Sequence, residues 1–270
     1  MTSVDAALRR ARQSIAPGEA RQLLCHLLDR PHAWLVAHGD AELTDEGRFL
    51  ELVARRAAGE PIAYLVGRRE FYGRNFAVAP EVLIPRPETE LLVELGLAQT
   101  AHLASPRLLD LGSGSGCIAV TLALELPKAQ VTAAEYSPLA LAMTERNARA
   151  HGVTLALVCS DWFTSLRGEG FDLIVSNPPY VAAGDAHLGQ GDLRYEPQVA
   201  LVSGVDGLAA IRAIVATAPA HLRPGGMLAI EHGYDQAAAV LALFAAAGFC
   251  QIEQRRDLAN IIRVTAGKVA

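Results

Sequence analysis

The chain has 270 residues, about half of them apolar, and a formal net charge of −5. That length can bury one sizeable core and leaves room for a smaller module. The acidic balance disfavours nucleic acid as a direct partner, because neutralising phosphates requires a basic excess.

The cysteines, Cys25, Cys117, Cys159 and Cys250, lie far apart with no C-x-x-C pair and no zinc-like spacing. They read as free thiols in a reducing compartment, and no metal is expected. The opening MTSVDAALRRARQSI has no apolar leader core. No window approaches the ~18 consecutive apolar residues of a membrane span. The expectation is a soluble cytoplasmic chain without a membrane partner.

Residues 1–60 read as a small helical bundle. Val4, Leu8, Ala11 and Ile15 recur on one helix face, APGE breaks the pattern, and Leu23, Leu24, Leu27 and Leu28 form a second stripe ended by Arg30-Pro31. Thr44 before Asp45 and Glu46 predicts a helix start, with Phe49, Leu52 and Val53 on its buried face. Across 61–87, aromatic and β-branched residues alternate with polar ones between Gly67, Gly73, Pro80 and Pro85, predicting a β-hairpin linker. From 88 a helix begins with Leu91, Leu92, Leu95 and Ala98. From 107 apolar strands alternate with helices, starting with RLLDLG, CIAVTLALEL and QVTAAE, and closing with the paired strands FCQIEQRRD and NIIRVTAG. This pattern predicts an α/β fold: a parallel sheet with helices on both faces and the last strand antiparallel.

The first turn of the alternating region, LLDLGSGSGCIAV, places Gly112, Ser113, Gly114, Ser115 and Gly116 between a strand and a helix. Glycines permit a tight turn and close backbone approach, and the helix beyond offers free N–H groups to a ligand. The next strand ends in Glu135, where an acid can accept both hydroxyls of a ribose. The third ends in Asp161-Trp162, suited to an amino group and an adenine. Dinucleotides and S-adenosylmethionine both fit this geometry. The spacing is G-x-G-x-G rather than G-x-G-x-x-G, and no second mononucleotide half is evident.

The fourth strand ends in VSNPPYV, so Asn177, Pro178, Pro179 and Tyr180 fall at the same carboxyl edge of the sheet. A planar NH2 conjugated with a carbonyl or a ring is a poor nucleophile. The Asn177 side-chain oxygen and the Pro178 carbonyl can each accept one of its hydrogens, enriching the nitrogen and aiming it at an electrophilic methyl. The prolines hold the acceptors in place at little entropic cost, and Tyr180 offers a ring for stacking.

These segments together resemble the HemK/PrmC family, methyltransferases of the class I, Rossmann-like fold. REFYGRNFAVAPEVLIPRPETE is similar to the family's linker, DLGSGSGCIAV to its cofactor loop, SDWF and SNPPYV to its cofactor and substrate strands, and YEPQVALVSGVDGL and EHGYDQ to its later segments. The resemblance covers nearly the whole chain. It implies S-adenosylmethionine-dependent methylation of the side-chain amide, N5, of the glutamine in the Gly-Gly-Gln motif of class 1 peptide-chain release factors. It further implies an N-terminal docking domain over 1–60, a linker over 61–87 and a methyltransferase domain over 88–270, in a monomer. Gly112 through Gly116, Glu135, Asp161, Trp162 and Asn177 would contact the cofactor; Asn177, Pro178, Pro179 and Tyr180 would hold the glutamine, with Asn177, Pro178 and Tyr180 catalytic.

Two departures stand out: Glu135 where many members have Asp, and DLANIIRV near the C-terminus. The segment 184–197 reads as a flap or as an ordinary surface loop. Methylation of a ribosomal-protein glutamine, DNA amino-methylation and a non-catalytic binding module are the competing readings. A DNA enzyme would have to flip a base and hold phosphates, and no target-recognition region is evident.

Overall fold

The computed structural model of the chain describes residues 2–166 and 170–270. The chain divides into two compact units, Met1–Arg68 with His187–Tyr195, and Arg69–Ala186 with Glu196–Ala270.

The first unit is helical: α1 (Val4–Ala11), α2 (Pro17–Leu28), α3 (His32–Ala37), α4 (Glu46–Ala57) and α5 (Ile62–Val66). Ser3 caps α1 by accepting from the Ala6 amide at 3.3 Å, and Val4, Ala7, Leu8 and Ala11 bury one face. APGE, expected to break a helix, starts one. Pro17 occupies the first helical position, where its missing N–H costs nothing, and Glu19 accepts from the Ala16 amide at 3.2 Å. The α4 cap is Asp45, one residue beyond Thr44; its carboxylate accepts from the Arg48 amide at 3.2 Å and sits at the positive end of the helix. α5 occupies the start of the stretch read as a hairpin. PIAYLV is too short for period to separate helix from strand; Pro61 opens it and Gly67 ends it. Leu23, Leu24, Leu35, Phe49, Leu52, Leu65 and Val66 share one core. Segment 187–195 packs into this unit. Arg56 bonds Glu19 at 2.8 Å and Asp192 at 3.0 Å, and Arg194 and the Tyr195 hydroxyl both donate to the Ala58 carbonyl, at 2.6 and 3.0 Å.

β1 (Arg68–Phe71) and β2 (Arg74–Ala77) form a hairpin whose two turn residues, Tyr72 and Gly73, have φ of 52° and 72°. That backbone matches the twist of the strands it joins.

The second unit holds α6 (Glu90–Thr100), β3 (Arg107–Leu111), α7 (Cys117–Glu125), β4 (Gln130–Glu135), α8 (Pro138–Ala150), β5 (Ala156–Cys159) and β6 (Phe171–Ser176). α9 (Ala209–Thr217), β7 (Leu222–Glu231), α10 (Ala237–Ala246), β8 (Cys250–Arg256) and β9 (Ile262–Lys268) complete it. The seven-stranded sheet has the order β5-β4-β3-β6-β7-β9-β8, and β9 runs antiparallel to both its neighbours.

Successive strand residues face opposite layers. Leu108, Ala133, Leu173 and Val175 pack with Leu92 of α6, Ile118 of α7 and Ala148 of α8. Leu109, Ala134, Ile174 and Ile230 pack with Ile211 of α9 and Val240 and Phe244 of α10. The chain passes from β3 outward to β4 on one side and later to β6 on the other. Such a reversal leaves a crevice beyond the carboxyl ends of β3 and β6, the usual ligand position in open α/β sheets. Among the described residues, no helix is long and apolar enough to cross a membrane, and no group of three or more His, Cys, Asp or Glu could hold a metal ion.

Candidate active site

A cavity of about 510 Å³ opens at this edge of the sheet, within the usual size range for small-molecule sites. Gly112, Ser113, Gly114, Ser115, Glu135, Asp161, Trp162, Asn177, Pro178 and Pro179 all line it. Gly116 and Tyr180 are not among the lining residues. Gly116 caps α7 with φ of 78°, and a Cβ there would stand 2.8 Å from Cγ2 of Thr144. Its contribution is backbone shape.

The glycine turn is tied down from several sides. Gly112 and Ser113 amides donate to the Ala134 carbonyl at 2.8 and 3.1 Å. The Glu135 carboxylate accepts from the amides of Gly114 and Ser137, both at 2.9 Å. Two backbone donors thus orient it and leave its other lone pairs available to a ligand. Asn147, buried on α8, donates to the Ser115 carbonyl at 2.8 Å and bonds both backbone groups of Ala77. Asp110 accepts from the Ala119 amide at 3.0 Å, bracing the start of α7; burial pushes its carboxyl up to about 7. Cys117 also lines the cavity, and burial raises its thiol to about 12, leaving it inert.

The Asn-Pro-Pro-Tyr loop is braced differently. Ser176 donates to the Leu111 carbonyl at 2.6 Å. Val181 exchanges backbone bonds with Leu201 and Ser203, and Gln236 donates to the Tyr180 carbonyl at 3.0 Å. A Cβ on Gly207 would fall 2.3 Å from that same carbonyl, so a glycine is required for the approach. These contacts give structural reasons for the VDGL and EHGYDQ segments.

Asn177 donates through Nδ2 to Oγ1 of Thr89 at 3.1 Å, while its Oδ1 is buried and takes no hydrogen-bond partner among the described residues. A buried acceptor without a donor is costly, and such atoms mark places where a ligand completes the bonding. The Tyr180 ring packs against the core beneath α9 and α10, and its hydroxyl donates to Glu231 Oε1 at 3.3 Å. Burial raises the Tyr180 phenol well above its ordinary range and the Glu231 carboxyl to about 7.

Neither Thr89 nor Glu231 stands out in the sequence as a site residue. The Thr89–Asn177 bond and the Tyr180–Glu231 bond are tertiary contacts with no local signal. Arg86 and Glu90, at the start of the segment leading into α6, have structural partners: Arg86 pairs with buried Glu196, which also accepts from the Ile84 amide at 3.1 Å, and Glu90 accepts from the Tyr72 amide at 2.8 Å.

Residues 2–67 match the PrmC N-terminal domain and residues 87–191 the methyltransferase small domain. A release factor glutamine methyltransferase of Bordetella pertussis is 52% identical over 252 residues, covering 92% of this chain and 93% of its own. The chain belongs to the release factor glutamine methyltransferase family. Another member, from Xylella fastidiosa, is 49% identical and covers 99% of this chain and 98% of its own. Among solved structures, a methyltransferase from Pyrococcus furiosus aligns with a TM-score of 0.55 at 17% identity, covering 80% of this chain and 96% of that one. The ribosomal protein L11 methylase of Lactobacillus delbrueckii subsp. bulgaricus aligns at 0.52 with 19% identity, covering 75% and 89%. These two likenesses establish the methyltransferase fold and nothing narrower. They agree with the α/β sheet and antiparallel last strand expected from the sequence.

Proposed function

We propose that this enzyme transfers a methyl group from S-adenosylmethionine to the side-chain amide nitrogen of the glutamine in the Gly-Gly-Gln motif of class 1 peptide-chain release factors. Family membership supports the substrate. The observation that carries the chemistry is the buried, unpartnered Oδ1 of Asn177, a residue that lines the same cavity as the glycine turn and Glu135.

The cavity suits the cofactor: a glycine turn with a close backbone, an oriented carboxylate at Glu135 for ribose hydroxyls, and Asp161 and Trp162 beside it for the polar and aromatic ends. Gly112 to Gly116 would shape that half, with Asn177 at the boundary. Bound there, S-adenosylmethionine supplies an electrophilic methyl on a positively charged sulfur.

The protein's own task is to make an amide nitrogen nucleophilic. Asn177 Oδ1 accepts one hydrogen of the glutamine carboxamide and the Pro178 carbonyl accepts the other. Both acceptors raise electron density on the nitrogen and fix its direction. The new C–N bond forms as the C–S bond breaks, and the nitrogen then releases a proton to water. Pro179 stiffens the loop, and Tyr180 anchors it through Glu231 rather than stacking on the substrate.

In this reading residues 1–60 dock the release factor, 61–87 link, and 88–270 carry the reaction, in a cytoplasmic monomer that needs no direct nucleic-acid contact. The test is transfer of labelled methyl to a purified release factor. Incorporation is expected with the native factor and should disappear when its Gly-Gly-Gln glutamine is changed to alanine. Unchanged incorporation, or transfer to DNA or a ribosomal protein instead, contradicts the reading.

A further inference from the structure

We infer that Ser160 is a positioning residue of the cofactor half of the cavity: its hydroxyl holds the turn after β5 in the shape that sets the Trp162 indole against the glycine turn. This rests on the cofactor role of Trp162 proposed above. Trp162 has φ of 46°, in the left-handed region that a bulky side chain rarely occupies. Such a backbone persists only where its surroundings enforce it, and positions of this kind cluster at ligand sites.

The enforcing bonds converge on one side chain. Ser160 is buried, and its hydroxyl donates to the Trp162 carbonyl at 2.8 Å while accepting from the Ser165 amide at 3.0 Å. One oxygen thus closes the turn from both ends, and its single hydrogen is spent there. Two backbone bonds shape the rest: the Thr164 amide donates to the Asp161 carbonyl at 3.0 Å, and the Leu166 amide to the Phe163 carbonyl at 2.9 Å. The Ser160 amide donates to the Glu135 carbonyl at 2.9 Å, so the same residue ties the end of β4 to the end of β5.

The turn gives neighbouring side chains different tasks. Phe163 and Leu166 are buried in the core, and Phe163 stacks on His221 with ring centroids 4.5 Å apart. Trp162, half-buried beside them, lines the cavity together with Asp161. A Cβ on Gly112 would stand 3.6 Å from Cζ3 of the indole, so the edge of that ring lies against the glycine turn. An indole is a flat platform for a purine, and its worth depends on its angle. Without the Ser160 hydroxyl, the Trp162 carbonyl and the Ser165 amide both lose the partner that keeps φ at Trp162 positive.

The experiment measures S-adenosylhomocysteine binding by calorimetry in wild type, Ser160→Ala, Ser160→Thr, Trp162→Ala, and Ser160→Ala combined with Trp162→Ala, each checked for cooperative urea unfolding. Wild type should bind; no binding would overturn the cofactor reading and this inference together, whereas wild-type binding with unresponsive variants would overturn the inference alone. Ser160→Ala should weaken binding about 10-fold, the scale of one hydrogen bond. Ser160→Thr keeps the hydroxyl and should recover most of the loss. In methyl transfer the defect should appear as a raised KM for S-adenosylmethionine more than as a lowered kcat. With Trp162 already alanine there is no indole to place, so Ser160→Ala should add almost nothing. An equal loss in that background would mean that Ser160 meets the ligand directly or serves only the fold, and would overturn the positioning role. A readout free of ligand uses the chain's two tryptophans. With Trp34→Phe in place, Trp162 is the sole indole, and Ser160→Ala should increase its fluorescence quenching by acrylamide while Ser160→Thr stays near wild type. Unchanged quenching, or wild-type affinity, in Ser160→Ala would overturn the inference.

Discussion

The two halves of the cavity differ in how their lining groups are bonded. On the glycine-turn side, the amides of Gly112, Ser113 and Gly114 and the carbonyl of Ser115 are all bonded within the protein. At the other end, Oδ1 of the lining residue Asn177 is buried and takes no partner among the described residues; behind the lining, Glu231 Oε2 on this side and Asp110 Oδ1 on the glycine-turn side are likewise buried without one. The first half is a finished mould whose shape recognises its ligand. The lining of the second keeps one acceptor without a donor, and the missing donor is what the acceptor substrate would bring. Shape and charge preorganisation are thus divided along the cavity.

The largest expected effect tests the unfinished half. Asn177→Ala should lower turnover by ~10²–10³-fold, by analogy with removal of one preorganised donor, while calorimetry shows the cofactor still bound. Turnover near wild type would make the two halves equivalent and remove the contrast. The finished half should respond in stability instead. Gly116→Ala forces a left-handed backbone on a residue whose Cβ would meet Thr144. The cost should be about 2–3 kcal/mol from strain and overpacking, read as a lower midpoint in urea unfolding. Glu135→Ala leaves two backbone amides without their acceptor and removes the proposed ribose ligand. Calorimetry should show cofactor affinity weakened by about 1.5–3 kcal/mol, the scale of a hydrogen bond to a charged group.

A pH series sharpens the comparison, since one raised carboxyl lies behind the lining of each half, Asp110 and Glu231, both near 7. The folded chain keeps these protons above the ordinary carboxylate range while the unfolded chain has released them. The unfolded state therefore binds fewer protons between that range and about 7, and stability should fall as pH rises through the window. Urea unfolding at pH 5 and pH 8 should show the loss, and Asp110→Asn should reduce it. A contribution of the opposite sign would mean that both groups are stabilised as anions. The smallest effect is expected at Leu258, fully exposed at the tip of the β8–β9 turn. Leu258→Ser should shift stability by less than ~0.5 kcal/mol and leave methyl transfer unchanged.

Much of the methyltransferase unit is legible in sequence because its signals are periodic or local. Residue pairs such as Leu108 and Leu109, or Leu173 and Ile174, announce a strand buried on both faces, and the glycine turn and Asn177 fall where the strands end. Helix boundaries in the first unit were harder. Pro17 can stop one helix or open the next, and Thr44 and Asp45 are both good caps, so local chemistry alone does not choose. α5 is too short to show a period.

What sequence could not supply are partners distant along the chain. Arg56 brings segment 187–195 into the helical unit through Asp192, and Thr89 meets Asn177. Neither pairing leaves a local mark. DLANIIRV has a structural account: Asp257 caps the turn by accepting from the Ile261 amide and binds Arg263, both at 2.9 Å.

The most direct test is a crystal structure of the chain with S-adenosylhomocysteine and a release factor carrying its Gly-Gly-Gln loop. The account predicts the glutamine amide nitrogen within hydrogen-bond distance of both Asn177 Oδ1 and the Pro178 carbonyl, with the cofactor sulfur in line beyond it. A glutamine amide bound elsewhere, or an Asn177 oxygen still without a donor in that complex, would contradict it.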